Sequence, residues 1–160
     1  MGGDPGTEVD LDDLYQQVIV DHSRRPRNFR ELANATGSGE GHNPFCGDRV
    51  TVYLKVDERT VADISFLGRG CAICTASASM MTESVKGKSI KEVEAMFGRF
   101  HAMLTDADAD GRDNEALDKL VVFEGVSRFP VRVKCATLPW HTMKAALGSN
   151  DQITTTEDPP

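Results

Sequence analysis

Four cysteines and one aspartate are the residues of this sequence best suited to chemistry. The cysteines stand at positions 46, 71, 74 and 135, and an aspartate follows the first of them across a single glycine. Thiolate and carboxylate groups bind zinc or iron, and a closed protein site usually has about four such ligands. The sequence therefore predicts one metal site with four donors: Cys46, Asp48, Cys71 and Cys135.

A β-hairpin is expected to bring the first three donors to one end of a sheet. Apolar and polar residues alternate over residues 50–56, and a second apolar run covers residues 61–67 after a short polar turn. Cys46 and Asp48 precede the first strand, and Cys71 follows the second. Because strands joined by a tight turn are antiparallel neighbours, the start of one lies beside the end of the other.

Two of the cysteines are predicted at the N-termini of helices. Residues 72–85 are rich in Ala, Met and Ser and precede Gly87, which predicts a helix that begins just after Cys71. The final helix is predicted over residues 136–147, just after Cys135. The positive end of a helix dipole lowers the pKa of a thiol, and this favours the thiolate that binds metal. Single cysteines are often buried core residues, but three at element termini favour a site.

The remaining segments complete an α+β prediction. A first helix is expected from residue 11 to just before Pro26, and Ser89 with Glu92 forms a capping box ahead of a third helix. Residues 36–43 are polar and glycine-rich, which predicts an edge strand or a loop. We expect a small antiparallel sheet of about three strands with helices packed on one face. One domain is predicted over residues 11–148, with flexible tails at residues 1–10 and 149–160.

Composition narrows the class of protein. The chain has 160 residues, 39% of them hydrophobic, and a formal charge of −7, which indicates one globular domain and argues against nucleic-acid binding. The first ten residues do not resemble a signal peptide, and no apolar run approaches the roughly 20 residues of a membrane span. A cytoplasmic protein without a membrane partner is predicted. In a reducing compartment, four cysteines favour metal or redox chemistry over structural disulfides.

Three interpretations stay open on these residues alone. Cys74 forms a C-x-x-C pair with Cys71, typical of a redox pair or half a zinc knuckle, but no βαβ pattern supports the redox interpretation. Arg132 and Lys134, expected on a strand or loop, either steer a negatively charged partner or are ordinary surface charges. A cysteine–histidine nucleophile that uses His42 would make the chain a thiol hydrolase, although no oxyanion donor is evident.

Four motifs carry a resemblance to a known family. They are Asn-Pro-Phe-Cys-Gly-Asp at 43–48, Gly-Arg-Gly-Cys-Ala-Ile at 68–73, Ala-Ser-Ala-Ser-Met-Met at 76–81 and Val-Lys-Cys-Ala at 133–136. Their order and spacing resemble the IscU/NifU-like iron–sulfur cluster assembly family over most of residues 10–148. Within it the chain is similar to the SufU branch, because Lys134 stands where scaffold proteins carry histidine and residues 100–125 resemble the SufU insertion.

The resemblance implies a fold like that of IscU and SufE, and a role in sulfur transfer. It implies that zinc is bound by Cys46, Asp48, Cys71 and Cys135, and that Cys46 accepts persulfide sulfur. The implied donor is a pyridoxal-phosphate cysteine desulfurase of the SufS type, with other Suf cluster-assembly proteins acting downstream. The alternative is a scaffold on which a [2Fe–2S] cluster, or iron, is held by the same residues. Zinc suits the first role because it has no redox activity.

Overall fold

The fold is an antiparallel sheet with helices packed against it. The computed structural model describes residues 11–44, 47–105, 114–148 and 152–155. Four strands are present: β1 Gly37–Asn43, β2 Asp48–Asp57, β3 Thr60–Arg69 and β4 Gln152–Thr155. The α-helices are α1 Leu11–Arg24, α2 Ala72–Val85, α3 Ile90–Thr105 and α4 Pro130–Gly148, and a 3₁₀ segment covers Asn114–Arg128. The α+β prediction is confirmed.

The sheet has the order β3-β2-β1-β4. Strands β2 and β3 form the predicted antiparallel hairpin, and β1 is antiparallel to β2, so the expected three-stranded antiparallel sheet is present. Strand β4 adds a short parallel neighbour on the other side of β1. It lies within residues 149–160, for which the sequence predicts a flexible tail and of which the structure describes 152–155. The Ile-Thr-Thr sequence at 153–155 is β-branched, and the outer edge of β1 offers it unpaired backbone groups.

Gly41 in strand β1 lies where α4 packs closely on the sheet. A Cβ atom at Gly41 would collide with Thr142 Oγ1 and would lie 2.9 Å from Leu138 Cδ1, both on α4. A side chain at this position would push the helix away from the sheet. Of residues 36–43, predicted as an edge strand or a loop, residues 37–43 form a strand. The glycine content obscured it in the sequence, because glycine is otherwise unfavourable in strands.

Local signals set the ends of α2 and α3 as predicted. Helix α2 begins after Cys71, and Gly87 follows it with a φ of 86°, a value that favours glycine. At the start of α3, Ser89 N–H donates to Glu92 Oε1 at 3.0 Å and Glu92 N–H donates to Ser89 Oγ at 3.1 Å. The capping box is therefore confirmed. Within the described part of the chain, no helix combines the length and the apolar character that a membrane span requires.

Helix α4 begins six residues earlier than predicted. Its first residue is Pro130, whose ring favours the first turn of a helix. The alternating apolar and basic residues at 131–134 imitate a strand, so the predicted start at 136 was wrong. Arg132 and Lys134 consequently lie on the helix and not on a strand or loop. Cys135 lies in the second turn, so the prediction that it occupies the helix N-terminus was also wrong.

A buried histidine connects the end of α1 to α2. His22 is only 6% exposed, and its Nδ1 lies 2.7 Å from Ser79 Oγ. The same hydroxyl accepts a hydrogen bond from the backbone N–H of Arg27 at 2.8 Å. Burial, followed by the nearby Arg27 guanidinium, lowers the pKa of His22, against the opposing charges of Glu83 and Asp21. The folded protein therefore favours the neutral imidazole.

Acidification is expected to destabilise the fold through His22. Because its folded pKa lies below the unfolded value, the stabilisation is complete above about pH 6.5 and is lost as the pH falls below that value. Urea denaturation of the metal-free protein at several pH values measures the effect. A His22→Gln variant should lose less unfolding free energy than the wild-type protein between pH 7 and pH 5. Equal losses in the two proteins would exclude this contribution.

Candidate metal centre

Three of the four predicted donors lie together. The ligand atoms of Asp48, Cys71 and Cys135 are all within 4.8 Å of one another. Among the residues that the structure describes, these three form a group that is able to hold a metal ion. The fourth predicted donor, Cys46, lies outside the described residues. Its chain neighbour Gly47 donates its N–H to Asn43 O at 2.8 Å, so the described residues on either side of Cys46 meet beside Asp48.

The hairpin register brings Asp48 to Cys71. Arg49 pairs with Arg69, so the first residue of β2 lies beside the last residues of β3. The Asp48 side chain is fully buried, and its Oδ1 accepts the backbone N–H of Cys71 at 2.9 Å. The Cys71 Sγ lies 3.9 Å from Asp48 Oδ2. A buried carboxylate held in this way is preorganised to meet the thiol.

Gly70 leaves the space that the Asp48 carboxylate occupies. A Cβ atom at position 70 would lie 2.7 Å from Asp48 Oδ1 and 3.1 Å from its Cγ. The carboxylate is fully buried and hydrogen-bonded, so it has little room to move. Glycine at position 70 therefore leaves space for the Asp48 carboxylate.

Substituting alanine for Gly70 should weaken metal binding. We expect roughly a tenfold loss of zinc affinity, the size of effect typical when a group that orients a ligand is disturbed. Competition with a chromophoric chelator measures the affinity. Gly98→Ala is the matched control, since a Cβ there meets nothing within 4 Å. Equal zinc affinities in the two variants would contradict a ligand role for Asp48.

The surroundings of Cys71 favour the thiolate form of its side chain. It is the N-cap of α2, and its Sγ accepts the backbone N–H of Cys74 at 3.5 Å. A hydrogen bond from the Cys135 thiol, helped by the backbone N–H groups of Cys74 and Ile73, lowers the pKa of Cys71 to about 6. Burial and the Asp48 carboxylate oppose this effect. The thiolate is the form that binds metal.

Cys135 is held by the second turn of α4 and by a buried amide. The residue is fully buried, and its Sγ lies 3.7 Å from the carbonyl oxygen of Val131. The Nδ2 atom of Asn43, at the end of β1, donates to the same sulfur at 4.0 Å. Sequence reasoning missed Asn43 as a site residue. No local sequence pattern marks this contact, because the two residues are 92 positions apart.

The donor types at this site fit zinc or iron. Two thiols and a carboxylate within 4.8 Å supply three of the four ligands that a closed tetrahedral site requires. Cys74 is outside the group: its side chain is 3% exposed in the hydrophobic core, and its backbone N–H is what reaches Cys71. His42, the partner required by the hydrolase interpretation, is also outside the group and lies in the β1–β2 ladder opposite Arg49.

A groove adjoins the metal centre. Its volume is about 620 Å³, and its wall combines α1, the first turn of α2, the 3₁₀ segment and α4. Ala72 and Ile73, the residues that follow Cys71, line it, as does Arg132. Phe129 and Val131 are large apolar residues exposed by 58% and 61% at the start of α4. Sequence patterns did not reveal the groove, because its residues come from four separate segments.

Comparisons with known proteins agree with this geometry. The NifU-like N-terminal domain family matches residues 14–136. The chain is 40% identical over 143 residues to the zinc-dependent sulfurtransferase SufU of Bacillus subtilis strain 168, covering 89% of this chain and 95% of that protein. It is 40% identical over 140 residues to the iron–sulfur cluster assembly scaffold protein IscU of Streptococcus pyogenes serotype M1, covering 86% and 84% of the two chains.

A solved structure shares the fold. The proposed iron–sulfur cluster assembly scaffold protein for the SUF system of Fervidobacterium islandicum AW-1 superposes with a TM-score of 0.76 at 35% identity, covering 82% of this chain and 94% of that one. The resemblance drawn from the cysteine motifs is confirmed. The chain belongs to the NifU-like N-terminal domain family, which includes the iron–sulfur cluster assembly proteins of the IscU and SufU types.

Proposed function

We propose that this protein is a zinc-binding sulfur acceptor of the SufU type, which takes persulfide sulfur from a cysteine desulfurase. The observation that carries the proposal is the approach of Asp48, Cys71 and Cys135 to within 4.8 Å of one another, with Cys46 two residues before Asp48. Zinc would be held by these four residues. The 40% identity to a zinc-dependent sulfurtransferase supports zinc as the metal.

Cys46 is the proposed sulfur acceptor. Its thiolate attacks the outer sulfur of the persulfide on the desulfurase cysteine, so that a new S–S bond forms on Cys46 while the original S–S bond breaks. The desulfurase cysteine leaves as a thiolate, and no external electrons are required. The reaction is a thiol–disulfide exchange applied to a persulfide.

The other donors hold the site while sulfur moves. When bound, zinc keeps its thiolate ligands deprotonated without taking part in redox chemistry. The backbone N–H of Cys71 fixes the Asp48 carboxylate at 2.9 Å, and the Asn43 amide lies against the Cys135 sulfur. Cys71 and Cys135 would therefore stay in place as Cys46 exchanges sulfur.

The proposed partner is a pyridoxal-phosphate desulfurase of the SufS type, which would approach over the start of α4. The exposed side chains of Phe129 and Val131 lie there, close in sequence to Cys135. Arg128 and Arg132 line the adjoining groove and could attract an anionic persulfide or an acidic partner surface.

Downstream Suf cluster-assembly proteins would receive the sulfur. Reduced thiols are required throughout, so we place the reaction in the cytoplasm.

A scaffold function is the second candidate, because the same donors accept iron and the chain is also 40% identical to an IscU scaffold protein.

Metal analysis followed by a desulfurase assay separates the candidates. A sulfur acceptor should purify with about one zinc per chain and raise desulfurase turnover. A scaffold should instead form a coloured [2Fe–2S] cluster when iron and sulfide are supplied. A thiol hydrolase should act without metal, and that result would refute both.

A further inference from the structure

Cys71 and Cys74 form a dithiol at the first turn of α2. Cys71 is the N-cap residue, with φ −70° and ψ 168°, and its Sγ accepts the backbone N–H of Cys74 at 3.5 Å. The two residues differ in access: Cys71 is half-buried, whereas Cys74 is 3% exposed. The residues between them, Ala72 and Ile73, line the groove of about 620 Å³. A molecule in this groove therefore meets the C-x-x-C turn.

The C-x-x-C spacing at the start of α2 permits a disulfide between the two thiols after a small adjustment. Residues three apart along a helix have Cβ atoms about 5–6 Å apart. A disulfide needs about 3.5–4.5 Å between Cβ atoms, so a small adjustment is sufficient. Cys71 can make this adjustment because its backbone is extended and lies outside the helical turn. Only Ala72 and Ile73 separate the two cysteines in the chain. Each thiol therefore has a high effective concentration at the other.

We propose that Cys71 and Cys74 are a redox-active pair, in which Cys74 resolves a mixed disulfide formed on Cys71 by a low-molecular-weight disulfide. The Cys71 thiolate first attacks one sulfur of that disulfide and expels a thiolate. Cys74 then loses its proton, attacks the Cys71 sulfur and expels the second thiolate. The two protein thiols lose two electrons in total, and the small disulfide gains them as two thiols.

Burial sets the order of these steps. An external disulfide reaches the half-buried Cys71 first, since Cys74 lies inside the core. Cys74 then attacks only within the chain. Because Cys71 belongs to the metal-binding group, its oxidation removes one donor and releases the metal. The Cys71–Cys74 disulfide does not depend on the sulfur-acceptor role of Cys46, whereas the release of metal rests on the metal site of the proposed function.

Disulfide mapping tests the pair directly. The zinc-loaded full chain is incubated with oxidised glutathione, the remaining thiols are alkylated, and the peptides are analysed by mass spectrometry. The wild-type protein should show a Cys71–Cys74 disulfide, with zinc released to a chromophoric chelator. A Cys74→Ala variant should instead retain glutathione on Cys71. Added thiol reductant and zinc should restore the starting state of the wild-type protein.

Three results would overturn the proposal. They are glutathione persisting on Cys71 equally in both proteins, a disulfide from Cys71 to Cys46 or Cys135 in place of the one to Cys74, and zinc that stays bound after the Cys71–Cys74 disulfide has formed. The wild-type map is decisive even if the alanine variant folds poorly, because it requires no substitution.

Discussion

Replacing Cys46 with serine is expected to abolish the stimulation of a cysteine desulfurase. Turnover should fall to the rate of the desulfurase alone, since a serine hydroxyl does not ionise near neutral pH and cannot exchange with a persulfide. Zinc should still bind, although more weakly, because Asp48, Cys71 and Cys135 remain in the same group. The assay measures alanine or sulfide released from cysteine at increasing concentrations of each protein.

Gly98→Ala serves as the control for this assay. The position is an exposed glycine of α3 where an added Cβ meets nothing, so stimulation should be unchanged. If Cys46→Ser stimulated the desulfurase as well as this control does, Cys46 would not be the acceptor. Metal content measured on the same samples shows whether any loss of stimulation arises from lost zinc and not from the lost nucleophile.

Replacing Cys71 with serine is expected to remove most of the stabilisation that metal gives to the fold. A metal present at a thousandfold excess over its dissociation constant stabilises a protein by about 4 kcal/mol. For a chain of this size, that corresponds to roughly 10 °C in Tm. The measurement is the difference in Tm between zinc-loaded and chelator-treated protein. In Cys71→Ser this difference should fall to less than half of the wild-type value, because a hydroxyl is a poor zinc ligand and only three donors remain.

Cys74→Ser is the matched control for this experiment. It makes the same substitution in the first turn of α2, at a thiol that lies outside the metal-binding group. Its own Tm should fall, since a buried apolar position gains a hydroxyl. Its zinc-dependent difference in Tm should match that of the wild-type protein. A full zinc-dependent shift in Cys71→Ser would show that Cys71 is not a ligand.

The sequence was sufficient to predict the local parts of the site. Strict alternation over residues 50–56 specified the hairpin, and the hairpin register alone brings Asp48 beside Cys71. Helix α2 was equally evident, because Gly87 ends it and no proline interrupts it. These features depend on residues close together in the chain, where periodicity and turn chemistry carry most of the information.

Features that depend on packing between distant segments were not predictable in the same way. The start of α4 was misplaced because the alternation at residues 131–134 imitates a strand, and only the fold shows that this segment is helical. Strand β1 carries glycine because α4 lies against it at Gly41, a contact between distant parts of the chain. The contact between Asn43 and Cys135 spans 92 positions, so no local pattern indicates it.

The most direct test of the proposed centre is the zinc X-ray absorption spectrum of the purified protein. Three sulfur ligands at about 2.3 Å and one oxygen at about 2.0–2.2 Å are expected if Cys46, Cys71, Cys135 and Asp48 hold the ion. The Asp48→Cys variant should shift the spectrum to four sulfurs. A wild-type spectrum with one sulfur or none, or with imidazole nitrogen in place of thiolate, would contradict the assignment of this site.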